Sequence, residues 1–248
     1  MTRTGEVTRA VLLAAGQGTR LRPLTDNCPK PMLDVGGRPL IEHTVLALAQ
    51  CGVSHLIINV HHRPEVVQRH FGDGRRYGVH IDYSVESALL GTAGAVKRVA
   101  GLLDGEPFFL MYGDNLTTCR LRDLVDLHRA RCATATIALF WKEDVTPHSA
   151  VELQPDDRIS RFVEKPTPDQ APSHWISAGV NVMEPDVLPH IPDDRPSDFG
   201  FDVFPRLLQA GARLQGYRMG DAEGLWWIDT LEHYERVRAL WATGQPPI

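Results

Sequence analysis

The 248-residue chain lacks any apolar run long enough to span a bilayer. Its start, MTRTGEVTR, lacks the apolar core of a secretory leader. Both absences point to a soluble, cytoplasmic protein with a short, loose N-terminus and no membrane partner. Cysteine is sparse: Cys28, Cys51, Cys119 and Cys132 form no C-x-x-C pair and no metal-ligand spacing. That excludes a disulfide framework and a zinc knuckle, and free thiols in a reducing compartment are expected. No block of Lys or Arg occurs and the formal net charge is −5, so nothing suggests nucleic acid as a partner. Lysine is scarcest of the charged residues, with only Lys30, Lys97, Lys142 and Lys165, and two of these stand directly before a proline.

What is present is an ordinary globular composition, enough to bury one large core with or without a small lobe. Short apolar runs read as strands at Arg9–Leu13, His55–Val60, Val79–Tyr83, Pro107–Tyr112 and Thr134–Phe140. Helical spacing falls between them, at Pro39–Cys51, Pro64–Phe71, Gly91–Leu103 and Leu121–Arg131. Strands alternating with helices predict an α/β fold with a Rossmann-like, mostly parallel sheet flanked by helices. After Trp141 the pattern changes. Ala150–Leu153 and Ile159–Val163 read as strands joined by the turn PDDR, and Trp175–Met183 and Arg213–Arg218 as extended segments. Phe201–Ala210 and Thr230–Trp241 read as helices. This half is expected to be a lobe added to the sheet, so that residues 1–248 form a single domain.

In open α/β sheets, ligands bind outside the carboxyl ends of the strands. Two chemistry-bearing segments fall at such ends: the loop after Leu13 and the acid Asp114 after Tyr112. Small residues from Ala14 to Gly18 would let backbone N–H groups approach a polyphosphate closely, with Arg20, Arg22 and Lys30 supplying cations. A plain glycine turn with surface charges is the alternative. The dinucleotide fingerprint fails, because Leu21 stands where its third glycine would be, and no G-x-x-x-x-G-K-S/T is present. An NAD-dependent oxidoreductase is therefore excluded, as is a P-loop. Asp114 and Asp229 both follow apolar runs and as a pair suit Mg²⁺, although Asp229, before Thr230, could simply cap the next helix. His61 and His62 read as structural, Trp226–Trp227 as core packing, and Asp193–Asp194 as a solvated loop.

The whole stretch Leu12–Met32, with G-x-G-T-R-L after the first strand and then P-K-P, resembles the signature of the sugar-1-phosphate nucleotidylyltransferases. The branch it most resembles is that of the mannose-1-phosphate guanylyltransferases. The resemblance runs on through Glu86, Leu90–Val96, Gly113–Asp114, FVEKP at Phe162–Pro166, Ser177–Gly179, FGFDVFP at Phe199–Pro205 and Trp227–Asp229. It implies a nucleotide-diphospho-sugar transferase fold with a small sugar-binding lobe, substrates that are an NTP and a sugar-1-phosphate, and Mg²⁺ as cofactor. It assigns Leu13, Ala14, Ala15, Gly16, Gly18, Thr19, Glu86, Gly91, Thr92 and Ala93 to the nucleotide. Ser149, Glu164, Gly179 and Asn181 fall to the sugar phosphate, and Asp114 and Asp229 to the metal. Arg20, Lys30 and Lys165 become the catalytic cations, stabilising phosphate charge while the sugar phosphate attacks the α-phosphorus.

GTAGA at Gly91–Ala95 is similar to the guanylyl-transferring branch, whereas Asp229-Thr230-Leu231 followed by Leu240-Trp241 is similar to the cytidylyl branch. His148–Glu152, Ser177–Gly179 and the shortened stretch after Asp229 depart from the family where it meets its sugar. An unusual sugar or a cyclitol phosphate is therefore expected. A catalytically silent sugar-nucleotide-binding regulator is the rival, and the retained carboxylates argue against it. No fused C-terminal β-helix domain is expected after Trp241, and a homo-oligomer stays open.

Overall fold

The computed structural model describes residues 6–193 and 195–242. Part of the start expected to be loose, and Asp194, lie outside these residues. Strands β1 (Arg9–Leu13), β2 (Asp34–Val35) and β3 (Arg38–Pro39) lead into helix α1 (Leu40–Cys51). Then come β4 (His55–Val60), α2 (Pro64–Phe71), β5 (His80–Val85), α3 (Gly91–Arg98), β6 (Phe108–Tyr112) and β7 (Asn115–Thr117). They are followed by α4 (Leu121–Arg131), β8 (Ala135–Trp141), β9 (Ser149–Leu153), β10 (Ile159–Glu164) and β11 (Trp175–Met183). The last elements are α5 (Phe204–Gln209), β12 (Leu214–Arg218), β13 (Leu225–Trp227) and α6 (Leu231–Leu240). The fold class is α/β, strands of a mixed, mostly parallel sheet flanked by helices, as expected.

The chain groups into two compact units. One comprises Thr8–Leu89, Met111–Cys119 and the residues from Asp221 onward; the other contains Leu90–Leu110 and Arg120–Gly220. In the first unit β1, β4 and β5 pair in parallel, with Leu13 beside Asn59 and Asn59 beside Ser84. The central residues of β1 and β4 are buried on both faces, which is why these two read as unbroken apolar runs rather than alternating ones. Helix α1 buries Leu40, Ile41, Thr44, Val45 and Leu48, a single stripe at helical spacing. Strands β7 and β13 form an antiparallel ribbon. A core of Leu21, Leu33, Val35, Leu40, Leu116, Ile228, Tyr234, Val237 and Trp241 closes that side, with Trp226 edge-on to Trp241.

In the second unit β8 lies between β11, antiparallel, and β12, parallel. Strands β9 and β10 form the expected hairpin, with an irregularity between Ile159 and Arg161.

Several boundaries differ from the pattern-based expectation. The helix expected over Gly91–Leu103 is α only to Arg98, and Ala100–Leu103 is a 3-10 turn. Val99 and Gly101 there are poor helix formers. The helix expected from Phe201 begins as a π-turn, Phe199–Val203, in which Asp198 O accepts from both Asp202 N and Val203 N. Pro205 has no N–H to donate, so the regular helix forms only around it. No helix among the described residues is long and apolar enough to cross a membrane.

Candidate active site

In the first unit three distant segments meet at one cation. The Lys30 ammonium donates to Asp114 Oδ2 at 2.9 Å and to Asp229 Oδ1 at 3.1 Å. Arg20 reaches the same Asp229 oxygen at 3.2 Å. Lys30 opens a 3-10 turn, Lys30–Met32, bracketed by Pro29 and Pro31. Asp114 and Asp229 flank the β7–β13 ribbon, whose register sets Asn115 opposite Trp227. Thr230, not Asp229, caps α6, accepting from the His233 N–H at 3.2 Å. The alternative in which Asp229 is only a helix cap therefore falls.

The side chain of Lys30 is 6% exposed and that of Arg20 is 71% exposed. Burial alone would lower the Lys30 pKa, but the two carboxylates outweigh it and raise it above its ordinary value. Burial alone would likewise raise Asp229, and Lys30 and then Arg20 hold it below the usual carboxylate range. Lys30 is therefore cationic and Asp229 anionic at neutral pH.

The loop after β1 is pinned from below. The Ala14 N–H donates to Asn59 Oδ1 at 2.6 Å, and Asn59 Nδ2 donates to Glu86 Oε1 at 2.9 Å. Leu13 O accepts from the Gly113 N–H at 2.9 Å. Ala14 and Ala15 are buried, whereas Gly16, Thr19 and Arg20 are exposed. The open backbone is thus that of Gly16–Thr19. Gly18 has φ +61°, and a Cβ there would sit 2.9 Å from Lys30 Cβ. Only glycine lets the loop and the lysine lie this close. Glu86 is 3% exposed and acts here as the loop's anchor through Asn59. Pattern reading missed Asn59, although a lone amide ending the run HLIIN was a visible signal. His61 and His62 are structural, engaging Glu86 O and Thr25 O.

In the second unit the start of α3 is capped from far along the chain. The Thr92 N–H and Oγ1 donate to Asp198 Oδ1 at 2.9 and 3.0 Å, and the Ala93 and Gly94 N–H groups donate to Ser197 O. These N–H donors are committed within the protein, so nucleotide recognition at Thr92 and Ala93 cannot rest on them. Lys165 is exposed, adopts a left-handed φ of +47°, and holds its ammonium 5.9 Å from the Phe201 ring centre. Its N–H donates to His148 O. Glu164, one residue earlier, accepts from Ser149 Oγ. Gly179 is buried on β11, and Asn181 is 2% exposed with its amide nitrogen donating to Leu110 O at 3.2 Å. Asn181 thus presents almost no surface to a ligand. Asp193, read as merely solvated, pairs with Lys97 at 3.0 Å.

A family model described as nucleotidyl transferase matches residues 9–239. The chain belongs to the nucleotidyl transferase family. It is 36% identical over 241 residues to the mannose-1-phosphate guanylyltransferase of Mycobacterium tuberculosis, covering 96% of this chain and 66% of the relative. It is 35% identical to the UTP–glucose-1-phosphate uridylyltransferase of Synechocystis, covering 94% of this chain and 63% of the relative. The chain therefore spans less than two thirds of the length of these relatives. Among solved structures, a UDP-glucose pyrophosphorylase complexed with UDP-glucose superposes with a TM-score of 0.81 at 18% identity, covering 96% of this chain and 100% of that one. That likeness concerns the fold.

Asp114 Oδ2 and Asp229 Oδ1 converge within 3.1 Å of one cationic nitrogen, and carboxylate oxygens are the donor type that a small, hard divalent ion takes. A second group of ligating side chains, His55, His80 and Asp82, lies at the opposite, amino-terminal ends of β4 and β5. There Arg9 bonds His55 Nδ1 at 2.5 Å. A metal-bound imidazole usually turns its other nitrogen toward an acceptor, and the Arg9 guanidinium on His55 Nδ1 is a donor instead.

Proposed function

We propose that the protein transfers a nucleoside monophosphate from an NTP, with GTP preferred, to a sugar-1-phosphate or a sugar-like cyclitol phosphate, releasing pyrophosphate. The observation that carries this reading is the meeting of Lys30, Arg20, Asp114 and Asp229 beside a glycine loop whose exposed backbone is free to approach phosphates. The attacking oxygen is already anionic, so no side-chain nucleophile is needed. The protein's task is to hold two polyanions in line and neutralise charge. Arg20 carries charge on the leaving pyrophosphate, Lys30 the charge developing at the transferred phosphorus, and Lys165 the attacking phosphate. Asp114 and Asp229 would hold Mg²⁺, which, when bound, neutralises and orients phosphate oxygens.

The GTAGA segment and the relative named a guanylyltransferase support guanine. The uridylyltransferase relative, and the D-T-L ending, keep UTP, CTP and dTTP as alternatives. Departures at His148–Glu152 and Ser177–Gly179 support an acceptor other than mannose- or glucose-1-phosphate.

The test is pyrophosphate release with Mg²⁺, crossing GTP, CTP, dTTP, UTP and ATP against sugar-1-phosphates and cyclitol phosphates. Release with one pair is expected. Silence across the whole panel, with nucleotide still bound, would overturn the catalytic reading in favour of a nucleotide-sugar-binding regulator.

A further inference from the structure

Residues Ser197–Gly200 touch both halves of the machinery carried by the second unit. At one end they cap α3. Ser197 N–H donates to Leu90 O, Ser197 O accepts from Ala93 and Gly94, and Asp198 accepts from the Thr92 N–H and hydroxyl. The Phe199 N–H donates back to Thr92 Oγ1 at 2.9 Å. A helix leaves its first N–H groups without intrahelical partners, and here a segment 106 residues away supplies them. The approach is close enough that a Cβ at Gly91 would fall 2.3 Å from Ser197 O.

At the other end lies Gly200. A Cβ built there would fall 2.0 Å from Glu164 Oε2. The Glu164 carboxylate therefore occupies the space that any side chain at position 200 would need, and Ser149 Oγ donates to the same oxygen. The segment is itself cross-linked to Asp202. The Asp198 N–H donates to Asp202 Oδ2, and Arg195 pairs with Asp202 Oδ1 at 2.6 Å. Burial alone would raise the Asp202 carboxyl, but the Asp198 N–H and Arg195 outweigh it and keep it below its ordinary value.

We propose that Ser197–Gly200 is a strap that sets both substrate-contacting segments at once, with Asp198 positioning the Thr92 end for the nucleotide and Gly200 positioning Glu164 for the sugar phosphate. This rests on the nucleotidyl-transfer reading above. Neither residue touches the reacting atoms: Asp198 acts through Thr92, and Gly200 through the room it leaves for a carboxylate. The clash at Gly200 is with the far end of a flexible side chain, so Gly200→Ala displaces Glu164 without breaking the fold.

Steady-state kinetics with the productive substrate pair test this. Losing a charge-assisted hydrogen bond, or misplacing one, changes affinity about tenfold. Asp198→Ala is expected to raise KM for the nucleotide about tenfold while leaving that for the sugar phosphate within about twofold, and Asp198→Asn, which keeps an acceptor oxygen, should restore it. Gly200→Ala should do the reverse, raising the sugar-phosphate KM alone. In a Glu164→Ala background Gly200→Ala should add nothing, since its effect runs through that carboxylate. Equal losses in both KM values, a fall in kcat and melting temperature alone, or an undiminished Gly200→Ala effect without Glu164 would each overturn the strap. If the wild type turns over no pair, the parent reading fails by itself. The strap is then judged by calorimetry with GTP and the other nucleotides: an Asp198→Ala Kd unchanged from wild type, or no binding to either, sinks it.

Discussion

Lys30 and Asp229, 199 residues apart in the chain, are joined by a 3.1 Å hydrogen bond, and the same ammonium holds Asp114 at 2.9 Å. The lysine occupies the point on which both carboxylates converge, so it offsets part of their charge and tethers both, with Arg20 adding a second cation on Asp229.

Replacing Lys30 by Met should therefore remove more than one phosphate contact. Pyrophosphate release is expected to fall on the order of 10²–10³-fold, the range for losing one preorganised charge-stabilising donor. Lys30→Arg should fare little better, since the slot leaves the side chain 6% exposed and fits a compact ammonium rather than a planar fork. Near-wild-type turnover in Lys30→Arg would show that the slot is not size-selective.

The same pair gives stability a defined pH dependence. The folded Asp229 pKa is depressed, so its contribution is present above the unfolded value and is lost as pH falls through the lower, folded one. Lys30 is raised, so its contribution is full below about pH 10.5 and is lost as pH rises through the folded value. Thermal unfolding followed from pH 5 down to 2 should lose part of its slope in Asp229→Asn. An identical slope in the variant would refute the coupling.

His128 offers an independent test in the second unit. Burial, assisted by the neighbouring Arg129 charge, lowers its pKa to about 4, while its Nδ1 lies 2.9 Å from Thr136 Oγ1. The imidazole is therefore buried neutral. Its depressed pKa means stability is full above the unfolded value near 6.5 and declines until the folded value is passed. From the size of that shift the loss amounts to roughly 3 kcal/mol. Melting temperature should fall across that window in the wild type and much less in His128→Gln.

Gly18→Ala combines strain with a clash. An alanine at φ +61° costs about 1–2 kcal/mol relative to glycine, and its Cβ would press on Lys30 Cβ from 2.9 Å. Loss of stability together with loss of activity is expected, read by chemical denaturation and pyrophosphate release. A variant that is destabilised but fully active would separate the loop's shape from Lys30's position.

Much of this was legible in the order of residues. β1, β4 and the helices α2 and α4 follow the expected spans, because runs buried on both faces and stripes at helical spacing are local signals. Arg20, Lys30, Asp114 and Asp229 could be named because short motifs carry them. The role of Asn59 was not readable, since an amide at a strand end has meaning only when Glu86 and Ala14 lie beside it. Nor was the capping of α3 by Asp198, where no residue next to the helix supplies a side-chain cap.

The sequence by itself determined the secondary-structure alphabet, the glycine loop and the identities of the charged groups, because these depend on neighbours within a few residues. Only the tertiary structure decided that Lys30 sits between two carboxylates, that Thr230 rather than Asp229 caps α6, and that Glu164 takes the space over Gly200. Each depends on the register of a ribbon or the close approach of distant backbones. Such approaches are set by burial and strand pairing across the whole chain, to which no short window of sequence has access.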